Sequence, residues 1–179
     1  MVDEDQIAEA GKRALYYFGE RLNCAESVFK AIFDMVNTDL PGAVLAMMFG
    51  FGGGVGASGN VCGALSGGTA VLGLVYGRRN PLSLPVEERS RTYGKDGTPG
   101  LYRLFNQLPN RFKEKFGTVN CAELIKPWHI EAPERRERCN KIVSETASMA
   151  MRILLEAKTK GYDFDYGDLC IFPKDLVKR

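Results

Sequence analysis

An all-α fold, one compact bundle of five to seven helices around a glycine-rich central helix, is what this chain predicts. Three observations carry it. Apolar residues recur at helical spacing along most of the sequence. No window shows the apolar–polar alternation, bounded by hairpin turns, of a strand. Asn, Pro and Gly stand where helices should begin and end. At 179 residues a single core buries about two-thirds of the unfolded surface, so the chain needs neither disulfide nor metal merely to fold.

The first helix is expected over Asp5 to Phe18, with Ile7, Ala8, Ala14, Leu15 and Phe18 on one side and Gly19 as its stop. Asn23 starts the second, whose stripe is Ala25, Val28, Phe29, Ile32, Phe33 and Val36, and Asn37-Thr38-Asp39 ends it. Pro41 opens a short helix through Phe49. A glycine-rich turn follows, then a helix from Asn60 to Tyr76 closed by Gly77. A polar helix is expected from Pro85 to about Tyr93, with a turn over 95–100. Leu101 to Phe116 is amphipathic through Leu104, Phe105, Leu108, Phe112 and Phe116, and Pro109 should kink or interrupt it. Asn120 starts a short helix to Lys126, and a long one spans Pro133 to Lys160. The chain thus divides into a helical domain, 1–160, and an irregular tail, 161–179, expected to pack on it.

The central helix holds Gly63, Gly67, Gly68 and Gly73. Each costs roughly 1 kcal/mol relative to alanine, so they need a reason. Close approach of another backbone or of a cofactor is that reason, with Gly59, Gly63 and Gly67 on one face, Gly63 and Gly67 as cofactor-binding positions and Cys62 at the edge.

Three of the five cysteines fall where helices should begin. Asn23-Cys24-Ala25-Glu26 recurs as Asn120-Cys121-Ala122-Glu123, each with Asn as N-cap and Glu three positions on. Cys62 opens the central helix. A thiol at such a place faces free backbone N–H groups and the positive end of the helix dipole, and both favour the thiolate. Cys139, within Arg135-Arg136-Glu137-Arg138-Cys139, has arginines nearby with the same effect. There is no C-x-x-C pair, so a zinc finger or ribbon has no support, and no C-x-x-C-H for covalent haem. Converging single cysteines from separate helices still build a redox or metal site. Cys170, in the tail, reads as packing, and His129, the one histidine, as a residue of the surface or the core edge.

The formal charge of +2 is too small for a nucleic-acid binder, and the basic residues around Arg135 alternate with acids as on a solvated helix face. Gly54-Val55-Gly56-Ala57-Ser58-Gly59 matches G-x-G-x-x-G but lacks a preceding strand and a following acid, so it reads as a turn. No charged residue occurs from Leu40 to Gly77, yet glycines split that stretch below the length of a membrane span. The acidic start, Asp3-Glu4-Asp5, is unlike a secretory signal. A reducing cytoplasm is the expected compartment, where cysteines bind metal or react rather than cross-link.

The hexapeptide Cys62-Gly63-Ala64-Leu65-Ser66-Gly67, with Cys24 upstream and Cys121 and Cys139 downstream, resembles a family of bacterial and archaeal proteins described as redox-active and known by the pattern C…CGAxxG…C…C. The likeness covers roughly residues 10 to 155. It implies a helical domain with redox thiols or an iron–sulfur or other metal site at Cys24, Cys62, Cys121 and Cys139, whether as catalytic thiols or as metal ligands. It names no substrate and leaves open whether the protein is an enzyme. An electron- or thiol-transfer partner protein would follow, with membrane contact only through such a partner and room for a homodimer. The rival readings are a non-catalytic binding module and a small transporter-associated subunit, in both of which the cysteines are structural.

Overall fold

In the computed structural model the described residues are 2–91, 101–129 and 131–161. Among them are seven α-helices, two 3-10 segments and no strand: α1 (Glu4–Gly19), α2 (Cys24–Phe33), a 3-10 segment (Gly42–Phe51), α3 (Gly63–Tyr76), a short 3-10 turn (Pro81–Ser83), α4 (Val86–Arg91), α5 (Leu101–Phe116), α6 (Cys121–Ile125) and α7 (Pro133–Lys160). The fold is all-α, as expected.

α7 packs on α1, α2, α3 and α5. At 28 residues it is about 42 Å long and serves as the mast of the bundle. α3 lies between α2 on one side and α5 and α7 on the other. Ile32, Val28, Val71, Leu72, Leu104, Leu108, Phe112, Val143 and Ile153 are fully buried where these helices meet, each contributing about 1.5–3 kcal/mol by burial. No helix among the described residues is long and apolar enough to cross a membrane.

Four local expectations are corrected. α2 ends at Phe33, where Met35 and Val36 both donate to the Ile32 carbonyl and tighten the last turn. The stretch after Pro41 is a 3-10 helix. Its apolar residues select no single helical face: Met48 is buried and Val44 and Leu45 half-buried against the core, while Met47 and Phe49 are 63% and 74% exposed. α3 begins at Gly63, three residues later than Asn60, because the 59–62 segment pairs with another strand-like piece of chain. Pro109 does not interrupt α5. Leu108 and Phe112, fully buried on either side of it, hold both halves against the core and outweigh a cost of about 3 kcal/mol. The turn expected over 95–100 and the tail beyond Gly161, with Cys170, lie outside the described residues.

Candidate functional site

The cysteine end of the bundle is organised by glycines. Gly63 is buried, and a Cβ on it would stand 2.5 Å from Cys24 Sγ and 2.6 Å from the Phe51 carbonyl oxygen. Gly67, one turn on, faces the Ala25 carbonyl at the start of α2. The first turn of α2 therefore lies directly on α3, and the space of both glycines is taken by α2. Gly68 points the other way, toward the side chains of Leu108, Thr146 and Ala150, and nothing stands within 4 Å of Gly73, so the expected backbone approach accounts for Gly63 and Gly67 and not for the other two.

Cys62 and Cys121 are joined through the main chain. Cys62 N–H donates to Val119 O (2.9 Å), Cys121 N–H to Asn60 O (2.6 Å) and Ala122 N–H to Gly59 O (2.9 Å). Val61 and Asn120 form an isolated antiparallel bridge. The turn before it runs left-handed through five successive residues, Gly53, Gly54, Val55, Gly56 and Ala57, with φ from 58° to 79°. Val55 and Ala57 cost about 1–2 kcal/mol each in that region. Ring-closing bonds offset this, including Gly56 N–H to Gly50 O (2.7 Å) and Asn60 N–H to Gly54 O (3.1 Å). A Cβ at Gly54 would stand 2.8 Å from Cys121 Cβ, so the G-x-G-x-x-G stretch is the cradle of a cysteine. A 3-10 segment, not a strand, precedes it.

The four thiols act on one another. Cys24 raises the proton affinity of Cys62, Cys121 and Cys139, and Cys121 is further affected by Cys139 and acts on Cys62. Cys24, on α2, thus lies within electrostatic reach of the sulfurs at the start of α3, on α6 and in the second turn of α7. All four are free thiols; Cys62 is buried and the others half-buried.

Burial pushes the Cys62 thiol up to about 12, with Cys24 adding to it, against the amides of Ala64 and Leu65. Burial, then Cys24 and Cys139, push Cys121 up to about 11, against Arg135. Burial also raises Cys139, against Arg135, Arg136 and Arg138. The expectation that a helix start would favour the thiolate is therefore corrected at Cys62 and Cys121, and the same expectation from nearby arginines is corrected at Cys139. Desolvation wins. In addition, the Asn caps already hold the amides that were to activate sulfur: Asn23 accepts from Ala25 and Glu26, and Asn120 from Glu123. Cys62 differs because it is itself the N-cap residue, not the first helical residue, and the Leu65 and Ala64 amides favour its thiolate without a side-chain cap hydrogen bond.

Of the arginines expected to act on Cys139, Arg135 has the widest reach. It is the arginine that acts on both Cys121 and Cys139. Its signal was present in the spacing, since it stands four residues before Cys139 on one helix. Arg136 instead lies over the Phe18 ring, 3.7 Å from its centroid, and donates to the Phe18 carbonyl. Arg138 lies 5.3 Å from the Phe116 centroid. His129 is exposed and its Nδ1 accepts from Glu131 N–H at 3.4 Å.

The family model described as "Putative redox-active protein (C_GCAxxG_C_C)" matches residues 22–153, a span that contains all four clustered cysteines. The chain belongs to this family. Its own hexapeptide reads Cys62-Gly63-Ala64, with Cys before Gly where the family label writes Gly before Cys. A protein of Archaeoglobus fulgidus described as "Uncharacterized protein" is 31% identical over 159 residues, 87% of this chain and 99% of that one. No solved structure matches the chain.

Proposed function

We propose that this member of the redox-active family carries electrons through an iron–sulfur cluster held by Cys24, Cys62, Cys121 and Cys139. The observation that carries this reading is the mutual action of four thiols from four elements, three of them with raised proton affinity. The donor set fits. Burial favours the protonated form at Cys62, Cys121 and Cys139, and iron would displace those protons, since thiol ligands bind deprotonated. Among the described residues no group of three or more Cys, His, Asp or Glu side chains is placed to hold a single metal ion; a cluster would instead take one thiolate from each of the four elements. When bound, such a cluster supplies one-electron transfer. The Ala64 and Leu65 amides and the Arg135 guanidinium would then stabilise negative charge on sulfur.

Thiol–disulfide exchange fares worse on the same numbers. Burial and neighbouring sulfurs disfavour the thiolate at Cys62, Cys121 and Cys139, and it is the thiolate that attacks. Anaerobic purification followed by visible absorption and iron and sulfide analysis tests the proposal. A coloured protein with matching iron and acid-labile sulfide supports it. A colourless, metal-free protein with a titratable disulfide, even after anaerobic supply of iron and sulfide, overturns it in favour of dithiol chemistry.

A further inference from the structure

A second feature lies at the opposite end of α7. A cleft of about 500 Å³ opens between the ends of α2 and α3 and the last turns of α7. Its walls include Met35, Val75, Met151 and Leu155, and Arg79 and Lys158 stand at it. Leu155 is 16 positions beyond Cys139 on α7, about 24 Å along the axis, so the cleft is separate from the thiol cluster. Arg79 shares an exposed ion pair with Asp39 at 3.2 Å, a pairing worth little at the surface.

We propose that the cleft is the docking site of this chain's own C-terminal segment, residues 162–173. Position argues for it. Lys158 lines the cleft, α7 ends two residues later, and Gly161, at φ 71°, breaks the helix there. Reach is ample, since a dozen residues span up to about 40 Å when extended. Chemistry matches as well. Tyr162-Asp163-Phe164-Asp165-Tyr166 alternates rings with carboxylates, and residues 162–173 carry Asp163, Asp165 and Asp168 but no Lys or Arg. An extended run of this pattern sets aromatic faces toward an apolar wall and acids toward the cationic rim. The family match stops at residue 153, so the segment lies beyond what that match covers. Tethering gives it an effective concentration in the millimolar range, ahead of a second molecule.

The test is limited chymotrypsin cleavage of the intact protein after Tyr162, Phe164 and Tyr166. In the wild type these bonds are cut at least tenfold more slowly than in a synthetic peptide of residues 158–179. The double variant Arg79→Glu/Lys158→Glu, and separately Val75→Glu, restore the peptide's rate. So does Asp163→Lys/Asp165→Lys, which alters only the segment and leaves the helical core as it was. Wild-type cleavage as fast as that of the peptide, or protection that survives all three variants, overturns the proposal. Protection lost on dilution also overturns it, and assigns the cleft to a second copy.

Discussion

Two identical tetrapeptides in this molecule have different fates. Asn23-Cys24-Ala25-Glu26 and Asn120-Cys121-Ala122-Glu123 both cap a helix and place a thiol at its first residue. At α2 the box is complete: Asn23 accepts from Ala25 and Glu26, Glu26 returns to the Asn23 N–H at 2.9 Å, and Asn23 Nδ2 donates to Phe49 O. Ala25 is fully buried on the α3 glycines. At α6 the cap reaches one amide, Glu123 turns to Lys126 at 3.8 Å, Ala122 is exposed, and the helix lasts five residues. The same local code sets a sulfur in position twice, but only tertiary packing decides how firmly. α2 is clamped by its complete capping box and the α3 glycines, whereas α6 is held by the main-chain bridge to 59–62, by Gly54 and Gly59 against Cys121 and Ala122, and by buried Leu124.

That contrast is sharpest at the flanking glycines. Gly67→Ala would drive a methyl into the Ala25 carbonyl, and Gly63→Ala one into Cys24 Sγ. Each should cost about 3 kcal/mol in denaturant unfolding and lower iron binding more than tenfold. Gly73→Ala, with nothing within 4 Å, should stabilise α3 by about 1 kcal/mol. Thiol titration comes next. A folded value above the unfolded one means stability is present below the unfolded pKa and lost as pH climbs toward the folded one. The metal-free protein should therefore lose stability from about pH 9 upward toward the value of about 12 at Cys62, by at most roughly 1.4 kcal/mol per pH unit for that thiol. Cys62→Ser should flatten this slope. Asn23→Ala should cost about 2 kcal/mol and Asn120→Ala about 1, in proportion to the amides each serves. Least of all, Glu26→Ala should cost about 0.5–1 kcal/mol and Glu123→Ala close to none; equal effects would erase the distinction between the two boxes.

The helical architecture was legible because apolar spacing and caps act locally. α7 runs from Pro133 to Lys160, as its proline start and lysine end predict. The 3-10 segment was not, because Gly42–Phe51 is apolar on all sides and its spacing selects no face. Pro109 misled for the reverse reason, since burial of Leu108 and Phe112 overrides local propensity. At the site, the four cysteines and the glycines beside them were visible as residue types. Their proton affinities were not. A cap amide taken by Asn is no longer free for sulfur, and residue spacing carries no measure of burial. Nor does spacing show that Gly54 would lie beneath Cys121, which depends on a left-handed turn closing onto the 59–62 bridge.

The central claim is that sulfurs from α2, the head of α3, α6 and α7 together hold one cluster. Crystallography at the iron absorption edge on anaerobically reconstituted protein tests it most directly. The account predicts a single anomalous peak ringed by the Sγ atoms of Cys24, Cys62, Cys121 and Cys139. Iron elsewhere, or pairs of these sulfurs joined at about 2.05 Å, would contradict it.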